Sequence, residues 1–111
     1  MKVELSDIKI QTQGFEINNS FFPKKDITEI KTLNIEARFI NEENASQHIV
    51  LDKFAQTGIF STPKFYVVTH ITLLDNIVEV MISKRPVYYG SNQYYADKKK
   101  AEEFESLLMK T

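Results

Sequence analysis

The sequence contains no cysteine and no tryptophan, and only three glycines and three prolines among its 111 residues. Without cysteine the chain has no disulfide, no thiol nucleophile and no zinc site built on thiolates. Gly14, Gly58 and Gly90 lie far apart, so the sequence carries neither a phosphate-binding loop nor a dinucleotide-binding fingerprint. These absences exclude several large classes of enzyme and cofactor-binding protein.

Long apolar runs are also missing. Charged residues fall within the first seven positions, where a signal peptide needs an apolar run. The longest apolar candidate, residues 65–82, is interrupted by polar side chains such as Asp75 and Glu79, whereas a membrane span needs about 18 consecutive apolar residues. We therefore expect no membrane span and a cytoplasmic location.

The hydrophobic fraction of 42% and the charged fraction of 26% are close to those of globular proteins. A chain of this length is in the range of one folded unit, and we predict a single domain over residues 1–111.

Strand-like alternation dominates up to about residue 95. The most regular alternation predicts a half-buried antiparallel strand, with Leu33, Ile35, Ala37 and Phe39 on one face. A change of phase after Leu5 predicts a bulge or bend near Ser6-Asp7. Residues 18–23 contain turn-forming side chains and predict a loop.

Two β-branched runs on either side of Asp75-Asn76 predict a β-hairpin over residues 65–84. The alternative is one long helix from Tyr66 to Ser83, which some of the apolar spacing also fits. Residues 48–60 fit a strand or a single helical turn, and the pattern leaves this choice open.

A closing helix is predicted from a cap at Asp97 to Met109. Its apolar stripe consists of Ala101, Phe104, Leu107 and Leu108. The predicted fold is mostly β in the α+β class: a curved antiparallel sheet or small β-barrel of six to eight strands, closed by this one C-terminal helix.

Catalytic motifs are missing. His48 and His70 lie inside strand-like runs, without the spacing of a metal site, and no serine lies on a glycine-rich elbow. We therefore expect a non-enzymatic protein without a metal or cofactor.

Residues 84–100 differ from the rest of the chain. Five basic residues and one acid give this segment a net charge of +4, so the remaining residues carry −5 of the overall −1, and four of the five tyrosines fall here. Cations for phosphates and aromatic faces for bases are what a single-stranded nucleic acid site needs. The candidate nucleic-acid-binding residues are Lys84, Arg85, Tyr88, Tyr89, Tyr94, Tyr95, Lys98, Lys99 and Lys100.

The predicted helix would carry Lys98, Lys99 and Lys100 in its first turn, with glutamates after them. The helix dipole favours acidic residues in the first turn and basic residues in the last turn. Because the observed order does not stabilise the helix, it indicates a binding site for an anion at the helix N-terminus. The competing interpretation is structural: tyrosine doublets often pack on a sheet rim, and a lysine run is usually a solvated face.

A second interaction surface is predicted at Phe21-Phe22, before Lys24-Lys25. Exposed rings there would favour a protein partner, although at least one ring is expected in the core. The partners considered are thus RNA or another anionic ligand, or a protein.

Two family resemblances follow. Size, cysteine-free composition, layout and the opening residues 7–17 resemble the PrgU family of small bacterial plasmid-encoded regulators, which implies a PUA-like barrel acting through RNA. Residues 14–17 and 22–30, with the terminal segment 101–108, resemble bacterial pleckstrin-homology-like domains, which implies an adaptor or immunity-type module. Neither resemblance implies catalysis.

Overall fold

The computed structural model describes residues 1–37, residue 40 and residues 64–110. In this part of the chain the strands are β1 (Lys2–Glu4), β2 (Ile8–Gln11), β3 (Gly14–Ile17), β4 (Ser20–Pro23), β5 (Ile27–Glu36), β6 (Phe65–Leu73) and β7 (Ile77–Met81), and the C-terminal helix is α1 (Asn92–Lys110). The alternatives for residues 48–60 and the prediction at Phe39 lie outside the described residues.

The strands form two sheets, a four-stranded sheet in the order β1-β7-β6-β5 and a three-stranded sheet in the order β2-β3-β4. Together with α1 they make a mostly β fold of the α+β class, as predicted. The described strands leave both sheets open and do not close into a barrel.

The long hairpin is confirmed, and the alternative of one helix over residues 66–83 is wrong. β6 and β7 pair antiparallel around the Asp75-Asn76 turn, with Val68 opposite Met81 and Thr72 opposite Ile77. β-branched residues dominate both strands because they suit a pleated surface that is packed on its two faces.

The predicted loop at residues 18–23 is wrong for Ser20–Pro23, which form a strand. Asn18 and Asn19 have positive φ values of 50° and 69°, a conformation that asparagine tolerates and that a two-residue hairpin turn needs. The turn is therefore tight, and Ser20–Pro23 returns along β3 as strand β4. Pro23 is compatible with this because β4 is an edge strand of its sheet.

The bend near Ser6-Asp7 is confirmed and separates strands of different sheets. A 3₁₀ turn at Leu5–Asp7 follows β1, and the side chains of Glu4 and Asp7 each accept a hydrogen bond from the other's backbone N–H. β1 pairs with β7 in parallel, and the other described strand pairs are antiparallel, which is the mostly antiparallel arrangement that the sequence predicts.

The main core lies between the four-stranded sheet on one side and both the three-stranded sheet and α1 on the other. Phe15 from β3, Phe65 and Ile71 from β6, and Phe104 and Leu108 from α1 are buried in one cluster. A smaller cluster of Ile35, Ile40 and Val68 covers the opposite face of the four-stranded sheet. Strand β6 therefore buries apolar side chains on both faces, Val67 and Ile71 on one and Val68 on the other.

Candidate nucleic-acid interface and an adjoining cleft

The turn before α1 positions the tyrosine-rich segment. Gly90 has φ +80°, which glycine adopts without strain. The Ser91 hydroxyl donates to the Tyr88 carbonyl (2.8 Å) and accepts from the Tyr94 N–H (3.1 Å). Ser91 is thus the N-cap, and the prediction that Asp97 caps the helix is wrong: the cap lies six residues earlier, and the helix begins at Asn92.

This earlier start places Tyr94 in the core, contrary to its predicted role as a stacking face. Tyr94 is 1% exposed, and its ring meets Phe65 edge-on at 5.4 Å between centroids. Tyr89 is half-buried and lies 5.1 Å from Tyr94, ring to ring. These two tyrosines serve the packing of the helix on the sheet.

Tyr88 and Tyr95 remain on the surface, with exposures of 49% and 56%. The Lys64 ammonium lies 5.1 Å from the Tyr88 ring centroid. Near Tyr95, the Lys98 ammonium lies 5.6 Å from the Tyr94 centroid and 3.3 Å from its hydroxyl. We call the exposed rings of Tyr88 and Tyr95, with Lys64 and Lys98, the tyrosine surface.

The three consecutive lysines of α1 do not form one patch. Successive residues of an α-helix are about 100° apart around its axis, so Lys98 contacts Tyr94 whereas Lys100 lines a cleft on another side. All three are at least two residues beyond the first turn of a helix that starts at Asn92. The inference from the helix dipole is therefore wrong, because the dipole acts mainly within the first and last turns.

Lys84 and Lys100 line the same cleft, although they are far apart in the sequence. Arg85 is exposed beside Lys84 at the end of the β-hairpin. Lys84, Arg85, Lys99 and Lys100 form no ion pair in the part of the chain that the structure describes. The cleft also contains Tyr66, the one tyrosine outside the predicted segment. We call it the lysine cleft.

One buried and one half-buried carboxyl group were missed at the sequence level. Asp97 is 2% exposed in the apolar stripe of α1; its Oδ1 accepts a hydrogen bond from Gln93 Nε2 (2.7 Å), and its Oδ2 has no hydrogen-bond partner among the described residues. Glu79 lies opposite His70 across β6 and β7, and the two side chains meet at 3.0 Å. This hydrogen bond lowers the pKa of Glu79, against the opposing effect of burial.

The described residues contain no cluster of three or more side chains suited to a metal ion. No helix in the same ranges has the length and apolar character needed to cross a bilayer. Comparisons of the chain with family models, curated proteins and solved structures give no match in any of the three.

Proposed function

We propose that the protein is a non-enzymatic, cytoplasmic regulatory module that binds single-stranded nucleic acid, RNA first of all, through the surface of residues 84–100. The observation that carries the proposal is the exposure of Tyr88 and Tyr95 together with every cation of this segment. The resemblance to PUA-like plasmid regulators implies the same kind of ligand. The proposal therefore includes a closed PUA-like barrel as the fold of the chain.

The proposed roles differ from those expected at first. Tyr88 and Tyr95 supply stacking faces, and Tyr89 and Tyr94 hold the helix in place. Lys98 and Lys99 are the lysines of α1 best placed to contact phosphates beside Tyr95, because the next lysine, Lys100, turns into the cleft. Arg85, Lys84 and Lys100 extend the positive potential and attract the phosphate backbone.

The test is titration of a fluorescently labelled single-stranded RNA, read by anisotropy. If three to five cations contact phosphates, raising the salt from about 50 to about 200 mM should weaken binding about 20- to 100-fold. Tyr88→Ala and Tyr95→Ala should each weaken binding about 5- to 150-fold, the range of a lost base stack. Failure to bind RNA at the lower salt refutes the proposal, as does unchanged affinity in both tyrosine variants.

Two matched controls separate stacking and charge from general effects. Phe21 is an aromatic residue with the same 49% exposure as Tyr88, but it lies on β4. Lys9 is an exposed lysine on β2. Phe21→Ala and Lys9→Gln should leave RNA affinity within about twofold, since surface changes outside a site have small effects.

A protein-interaction module is the second candidate, and one observation favours it. Phe22 stacks on Phe15 at 5.2 Å between centroids, whereas Phe21 on the edge strand β4 stays exposed beside Lys24 and Lys25. A discrete protein partner that remains bound at high salt and is lost in Phe21→Ala would support this candidate over RNA binding.

A further inference from the structure

The lysine cleft has the size of a small-molecule site. Its volume is about 460 Å³, within the range of about 300–1,000 Å³ that is typical of ligand pockets. It lies where the 3₁₀ turn after β1, the end of β7 and the middle of α1 meet. The parallel pairing of β1 with β7 creates this meeting point.

The floor of the cleft is apolar. Leu5, Tyr66, Met81 and Ile82 line it, together with Ile40 from the smaller core cluster. Four of these five side chains are aliphatic or thioether chains, which offer surface for hydrocarbon and no donors or acceptors for the edge of a base. The floor therefore suits a flexible aliphatic chain better than a nucleotide.

The rim of the cleft is positively charged. Among the described lining residues there are three lysines and one glutamate, Glu4. The Lys2 ammonium is held by the Ile40 carbonyl at 2.6 Å and by Glu79 at 3.7 Å. Lys84 and Lys100, in contrast, are exposed and form no ion pair within the described ranges. Two cations are thus available to one anionic group.

One buried hydroxyl adds a neutral donor to the wall. Ser83 is 2% exposed, and its Oγ accepts a hydrogen bond from the Val67 N–H at 2.9 Å. A serine hydroxyl can also donate one bond, and no acceptor for it is present among the described residues. Ser83 and Lys84 are consecutive residues, and both line the cleft.

We propose that the lysine cleft binds a small anionic amphiphile, that is, one carboxylate or phosphate group joined to an aliphatic chain. The head group lies between Lys84 and Lys100, within reach of the Ser83 hydroxyl. The chain covers Leu5, Met81 and Ile82. This site shares Lys84 and Lys100 with the proposed RNA surface, but it does not depend on RNA binding, because its apolar floor lies outside the tyrosine surface.

The experiment is an NMR titration of the isotope-labelled protein with octanoate, octyl phosphate, 1-octanol and inorganic phosphate. Octanoate and octyl phosphate should bind saturably and shift the methyl signals of Leu5, Met81 and Ile82. Octanol, which lacks the charge, and inorganic phosphate, which lacks the chain, should each bind at least about tenfold more weakly. A preference between octanoate and octyl phosphate identifies the head group.

Lys84→Gln and Lys100→Gln should each lower the affinity for the preferred amphiphile about tenfold, the usual loss for a charged hydrogen bond. Both residues are exposed, so the variants should fold. Lys9→Gln is the control with the same charge change on β2. The proposal is overturned if neither amphiphile saturates the protein, if inorganic phosphate binds as tightly as octyl phosphate, or if Lys9→Gln weakens binding as much as Lys100→Gln.

The two proposals fail separately. Tyr88→Ala and Tyr95→Ala should abolish RNA stacking without changing octanoate affinity. If the protein binds octanoate but no RNA, the proposed ligand site in the cleft is supported and the proposed function is refuted. If it binds RNA but no octanoate, the proposed function is supported and the ligand site is refuted.

Discussion

The adjacent tyrosines of α1 provide the sharpest test of how the helix lies on the sheet. Tyr94 is 1% exposed and Tyr95 is 56% exposed, although the two residues are chemically identical neighbours. Replacement of each by alanine removes the same atoms and leaves the same helix-favouring residue. Any difference in stability between the two variants must therefore arise from burial.

Tyr94→Ala is expected to lower the free energy of unfolding by a large amount. Its ring contacts Phe65 at 5.4 Å and Tyr89 at 5.1 Å between centroids, and deletion leaves a cavity at the junction of helix and sheet. Buried aromatic-to-alanine changes cost about 3–5 kcal/mol of unfolding free energy. For Tyr95, the loss of one edge contact with Tyr94 at 5.3 Å costs about 0.5–1.5 kcal/mol, partly offset by the better helix propensity of alanine.

Urea unfolding followed by circular dichroism measures both values. With a denaturant dependence of about 2 kcal/mol per molar urea, Tyr94→Ala should lower the midpoint by about 2 M, and Tyr95→Ala by about 0.5 M or less. Tyr94→Phe is the control: it keeps the ring and loses only the hydroxyl that Lys98 contacts at 3.3 Å. Equal midpoints for the two alanine variants would show that the helix does not bury the Tyr94 face.

Two further predictions concern the sheets. A Cβ at Gly14 would overlap the backbone oxygen of Phe22 and lie 2.9 Å from the Phe21 ring, so Gly14→Ala should destabilise the protein by about 1–3 kcal/mol in urea unfolding; an unchanged midpoint would contradict the pairing of β3 with β4. The depressed pKa of Glu79 means that its stabilising contribution is present at neutral pH and lost as the pH falls below about 4.5. Glu79→Gln should therefore lose less stability than the wild type between neutral and acid pH in thermal unfolding, and parallel pH profiles would refute this.

The elements that could be predicted are those with strong local signals. The β6–β7 hairpin has β-branched residues on both arms and a turn at Asp75-Asn76, and both features are independent of the rest of the fold. Local alternation likewise predicted the strand that contains Leu33 and Ile35. The pairing of β1 with β7 could not be predicted in the same way, because it joins residues more than 70 positions apart.

The errors arose where one short signal competed with a longer one. The tyrosine doublets have a high β propensity, which favoured an extended segment up to Tyr95. The side chain of Ser91 decided against it by capping the helix at the Tyr94 N–H. In the same way, the positive φ of Asn18 and Asn19 converted an expected loop into a two-residue turn. The start of the helix and the tight turn each depend on one or two residues. A pattern averaged over a longer stretch of sequence gives such residues little weight.

The position of the helix start also determines what the positive charge of residues 84–100 can do. Net charge along a sequence shows that cations are near one another in the chain, but helical phase distributes Lys98, Lys99 and Lys100 around the axis. Lys100 then meets Lys84 across a cleft whose floor includes Leu5 from the opposite end of the chain. An anionic ligand that is recognised by charge alone would contact cations throughout residues 84–100. A ligand that also has an aliphatic chain would bind in the cleft alone. The apolar floor of the cleft distinguishes these two kinds of ligand. This floor could not be predicted from any local pattern within residues 84–100.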